Sequence, residues 1–211
     1  MPRAMAHTSA DSRWGIHPLV DYSRSLLENM EKRTGRTLEA WVALTRKQQL
    51  PDVAARKAWL KAEHGIGSST GHWIADLVDG QNQDWIDPES YLKAADGFYD
   101  TQYPEKKAHL KPIAEALFET VQALGDDVRI CPCATIIPVY RNHVFAEIKP
   151  TTLKRVDLGF AFGGSPPSDK LIDTGGFAKK NRITYRIPLE SMKDITGEVK
   201  KWLKEAYGRD E

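Results

Sequence analysis

Apolar residues change their spacing part-way along the chain, and the change predicts two kinds of structure. Before residue 80 they recur every three or four positions. Leu19, Tyr22, Leu26 and Met30 form one stripe, the spacing that puts side chains on one face of an α-helix. Gly35 stands where that helix should stop, and Thr37 is placed to cap a second, on which Leu38, Trp41, Val42 and Thr45 share a face. Pro51 and Asp52 open a third, with Ala55, Trp59 and Leu60 aligned before Gly65. Trp73, Ile74, Leu77 and Val78 mark a fourth. Gly80 to Pro88 is polar and rich in turn formers, as a linker is. Helical spacing resumes from Pro88 to Tyr99 and from Glu105 to Leu124, where Pro112 predicts a kink or a fresh start.

From Thr135 the period falls to two. Val144, Ala146 and Ile148 alternate with His143, Phe145, Glu147 and Lys149. Val156, Leu158, Phe160 and Phe162 alternate with Arg155, Asp157, Gly159 and Ala161. Strict alternation predicts half-buried antiparallel strands, one face to the core and one to solvent. Ile183, Tyr185, Ile187 and Leu189 repeat the pattern, and Leu171-Ile172 reads as a short edge strand. A last helix, from Thr196 to Tyr207, lines up Val199, Trp202, Leu203 and Ala206. The predicted fold class is α+β: a small N-terminal helical module, then an antiparallel sheet of about four to five strands with helices on one face. The expected domains are a disordered tail over 1–17, a helical domain over 18–80, a linker over 81–88 and an α+β domain over 89–208.

Composition changes this picture little. A formal net charge of +1 over 211 residues gives no whole-molecule attraction to nucleic acid or to acidic membranes. Any electrostatic function must be local. No apolar run approaches the roughly 20 residues of a membrane helix, so no membrane partner is expected. The first residues carry no apolar signal core, and a cytoplasmic location is the expectation. Two cysteines two positions apart make no disulfide framework.

Two groups of motifs carry a resemblance. Thr34, Gly35, Arg36, Leu38, Glu39 and Trp41, followed by Leu60, Lys61, Glu63, His64 and Gly65, resemble the start and stop of an N-terminal helical domain of unknown function in bacterial proteins. Arg141 with Phe145-Ala146, then Arg155 to Gly159, then Trp202-Leu203 with Ala206-Tyr207, resemble a second domain of unknown function. That domain also ends larger proteins labelled as predicted transport or restriction proteins. The resemblance implies membership and brings no chemistry, cofactor or site residue with it. The chain departs from the pattern at Ser68 to Gly71 and at Cys131-Pro132-Cys133.

Few residues suggest chemistry. Cys131 and Cys133 could share a soft metal, but a closed zinc site takes four ligands. Glu63 and His64, adjacent at a helix end, point apart, and His64 reads as a dipole-favoured cap. No glycine-rich phosphate loop, nucleophile elbow or paired-carboxylate motif is read, and no cofactor is implied. The sheet's polar face remains. Between Tyr140 and Arg186 there are nine Lys and Arg against four Asp and Glu, five more positive than negative. The expected ligand surface is Phe145, Lys149, Arg155, Arg182 and Arg186, an aromatic among cations suited to single-stranded nucleic acid or a nucleotide. On this reading the protein is a non-catalytic binding module. The alternatives are an enzyme with a spatially assembled site, or a metal carrier using Cys131 and Cys133.

Overall fold

The computed structural model describes residues 12–210, and the chain divides into two compact units. One is helical, from His17 to Lys93. The other joins the segment ending at Ile16 to everything from Ala94 onward. The chain thus supplies one short piece of the α+β unit, then the whole helical unit, then the rest of the α+β unit.

The helical unit contains α1 (Pro18–Glu28), α2 (Met30–Thr34), α3 (Leu38–Lys47), α4 (Val53–His64) and α5 (Ser68–Leu77). Local chemistry sets most of these ends. The Thr37 hydroxyl accepts from the Ala40 N–H at 3.3 Å, and the Asp52 carboxylate accepts from the Ala55 N–H at 2.8 Å. Each satisfies a donor that the first helical turn leaves free. Met30, Trp41, Leu60, Ile66 and Ile74 form the core. The expected stripe on the first helix is out of phase. Val20, Ser23 and Met30 are buried while Leu19 and Tyr22 stand exposed, and α1 ends at Glu28 before α2 starts at Met30. Gln83–Trp85 forms a single 3-10 turn inside the expected linker. Helix α6 (Pro88–Gln102) begins in this unit and ends in the other.

The α+β unit carries a six-stranded sheet: β1 (Arg129–Ile130), β2 (Ile137–Tyr140), β3 (Val144–Lys149), β4 (Val156–Phe160), β5 (Ile172–Asp173) and β6 (Tyr185–Leu189). The spatial order is β1-β2-β3-β4-β6-β5, and every neighbouring pair is antiparallel. The α+β class is as expected; β1, at two residues, is too short to show an alternation. Helix α8 (Gly197–Gly208) packs on β3 and β4, bringing Trp202 edge-on to Phe160 at 6.2 Å between ring centroids. Helix α7 (Lys111–Gln122) carries Pro112 in its first turn, so the proline marks a fresh start after a 3-10 segment.

Residues 1–11 of the expected disordered tail lie outside the described residues. Of those that follow, Trp14 and Ile16 are buried. The Trp14 indole donates to Asp96 at 2.7 Å and packs against Tyr99 and Phe118. The Gly15 N–H donates to the Ile130 carbonyl at 2.9 Å. Arg13 lies 4.2 Å over the Trp14 ring and pairs with Glu115 at 2.9 Å. A segment with no sequence period is held by one tryptophan and its polar neighbours, which periodicity cannot detect.

Candidate functional site

The face expected to bind a ligand is only partly presented to solvent. Between β2 and β3 the register shifts, so that Val139 pairs with Ala146 and Tyr140 with Val144, leaving Phe145 without a partner on β2. A bulge of this kind re-aims side chains. Phe145 and Ala146 are consecutively buried, and the Phe145 ring meets Tyr207 of α8 edge-on at 5.6 Å. Phe145 is therefore a core residue and offers no surface for stacking.

The cations nearby are largely spoken for. Arg155 Nε and Arg186 Nη1 both donate to Asp157 Oδ1, at 3.0 and 3.1 Å, and Asp157 is 5% exposed. Arg155 and Arg186 are thus brought together, but on a shared carboxylate. Lys149 is exposed on the register position opposite Asp157. On the same row as Arg186, Glu147 is half-buried; burial pushes its carboxyl up, against the opposing pull of Lys149. Gly159, between them, packs closely, since a Cβ there would come within 2.6 Å of the Ile183 side chain and force it to shift.

Arg182 belongs elsewhere. Its Nη2 donates to Asp210 Oδ1 at 2.8 Å and its Nε to the Val144 carbonyl at 3.2 Å. Asp210 also accepts from the His143 N–H at 2.7 Å, with the His143 ring 3.0 Å away. Arg182 also lines an open groove of about 570 Å³, whose walls include Phe177, Lys180, Asn181 and Thr184. Phe177 is 65% exposed. The tip of its ring comes close to Gly164, where a Cβ would be only 3.4 Å from the Phe177 Cζ. The segment 174–186 holds Lys179, Lys180, Arg182 and Arg186 and no Asp or Glu. Sequence reading missed Phe177 because it has no alternation to place it. The available signal was an aromatic residue between a glycine pair and a lysine pair.

Cys131 and Cys133 follow β1, their N–H groups donating to the Pro138 and Ile136 carbonyls at 3.0 and 2.9 Å. Cys131 is buried and Cys133 half-buried. Burial pushes both thiols up, Cys133 to about 12, which disfavours the free thiolate. No group of three or more His, Cys, Asp or Glu side chains is arranged to hold a metal among the described residues. His64 packs edge-on between Trp41 and Trp59, at 5.0 and 4.8 Å. No helix among the described residues is long and apolar enough to cross a membrane.

Residues 99–209 match the Domain of unknown function (DUF5655) and residues 23–80 match the Domain of unknown function (DUF4287). The first match spans more than half of the chain, and the protein belongs to the DUF5655 family, with a DUF4287 domain ahead of it. The likeness read from the motifs is borne out in both regions. A search of curated proteins and a search of solved structures each found no match.

Proposed function

We propose that the protein is a non-catalytic binding module of two parts, helical over 18–80 and α+β over 89–208, working in the cytoplasm. The α+β part takes an anionic ligand with a flat ring, a nucleotide or single-stranded nucleic acid, in the groove beside β6. The observation that supports this reading is the exposed Phe177 in a groove it shares with Lys180 and Arg182, with no carboxylate in segment 174–186. A base stacks on an aromatic face while cations meet phosphate, and neither contact demands a particular sequence. Arg155 and Arg186 share Asp157, and Lys149 stands opposite it, so none of the three lines the groove. Their reach is limited by screening to about 8 Å at physiological salt.

The test is a fluorescence titration with short labelled oligonucleotides at two salt concentrations. Three phosphate contacts give a log–log salt slope of about −2 for single strands. Phe177→Ala costs roughly 1–3 kcal/mol of binding if a base stacks there, and changing Lys179 and Lys180 to Gln flattens the slope. Binding that ignores salt, or ignores both variants, retires the reading.

A further inference from the structure

A single buried carboxylate ties the groove of the α+β unit to a histidine. Asp210 follows α8, and its side chain is 3% exposed. Its Oδ1 accepts from Arg182 Nη2 at 2.8 Å and stands 3.0 Å from Nδ1 of His143. Its Oδ2 accepts from the His143 N–H at 2.7 Å, and the Asn142 side chain donates to the Asp210 carbonyl at 2.8 Å. The turn between β2 and β3 thus fastens this residue through both its side chain and its main chain. A carboxylate offers only acceptors. Neutral His143 therefore carries its proton on Nδ1, facing Asp210, and its Nε2 is left bare. The His143 side chain is 64% exposed, so water can deliver a second proton to it.

The two forms of His143 give the cluster two different charges. With the ring neutral, the Arg182 guanidinium and the Asp210 carboxylate cancel. With the ring protonated, two cations share one carboxylate and the cluster is net positive. Arg182 is the member that lines the groove, so the added charge arises one carboxylate away from the groove wall. The other cations around His143 do not vary in this way. Arg141, in the same turn, pairs with Asp127 at 2.9 Å, and Arg209, beside Asp210, pairs with Glu205 at 2.6 Å. Arginine keeps its charge at every pH the protein meets, whereas histidine changes its charge between about pH 5 and pH 8.

We infer that His143 makes anion binding in the groove pH-dependent: once protonated it draws on the Asp210 carboxylate that otherwise neutralises Arg182, and the groove holds phosphate more tightly. This rests on the nucleic-acid reading of the groove and adds its regulation. His143 acts through Asp210 as a positioning residue and does not touch the ligand. The experiment is a titration of the full chain with a short rhodamine-labelled oligothymidylate bearing hydroxyl ends, at fixed salt, at about pH 5.5 and about pH 8. Thymine and the phosphodiester keep their charge over that interval, so a change in affinity reports the protein. Binding is expected to be about three- to tenfold tighter at the lower pH. His143→Gln loses that gain, and His143→Arg, a permanent cation, binds at the higher pH as tightly as the unaltered protein does at the lower. The His143 side chain is mostly exposed, so both variants fold, and their circular dichroism checks it. Glu147, whose carboxyl burial raises, is intact in His143→Gln, so a gain that came from Glu147 would survive there. Phe177→Ala weakens binding at both pH values and keeps their ratio. Equal binding at the two pH values, or a gain undiminished in His143→Gln, overturns the inference and leaves the groove reading standing. No binding at either pH retires both.

Discussion

Two basic regions of the α+β unit look alike in sequence and differ in structure. Around β4 and β6, Arg155 and Arg186 share Asp157, and the aromatic expected beside them, Phe145, is sealed under α8. In the loop before β6, Lys179 and Lys180 have no carboxylate on their own segment, and Phe177 is open. Local charge excess is therefore a poor guide to a binding surface. What matters is whether each cation already has a carboxylate, and whether the nearby aromatic is left exposed.

The sharpest test of that difference is Phe145→Ala. Removing a fully buried ring costs about 3–5 kcal/mol, and urea unfolding measures it. An unchanged stability with lost oligonucleotide binding would put Phe145 back on the ligand surface. Next is Asp157→Ala, which leaves two guanidinium groups without their shared acceptor. The expected loss is about 2–3 kcal/mol, below that of a fully buried pair because both arginines keep about a third of their surface in water. A neutral result would show that these arginines were as free as the lysines of the loop.

Glu147→Gln has a smaller effect of opposite sign. Burial raises this carboxyl in the folded protein, so the unfolded chain releases the proton first and stability falls as pH rises through the raised value. Glutamine removes that loss. The variant should be the more stable at pH 7, with the gain vanishing below the ordinary glutamate range of about 4. Parallel unfolding curves for the two proteins at every pH would contradict it. The smallest change in stability belongs to Lys179→Gln with Lys180→Gln, within about 0.5 kcal/mol. A larger drop would mean that the loop lysines, like Arg155 and Arg186, have structural partners.

Legibility followed the range of the interactions. Thr37, Asp52 and Gly65 act on residues three to five positions away, and the helix ends they set were readable. Alternation placed β3, β4 and β6, and the α+β class with them. The bulge at Phe145 was not readable, since it arises from pairing between two strands rather than from either strand's own pattern. Trp14 gave no signal because an isolated anchor has no period, and its partners Asp96 and Phe118 lie about a hundred residues on.

The sequence by itself determined the periods, the caps and the order of elements, because helices and strands answer to neighbours a few residues apart. The tertiary structure alone decided which cations found carboxylates, and which aromatic was buried and which left exposed. Those outcomes depend on contacts between distant segments, where burial and charge are set by whatever the fold brings alongside.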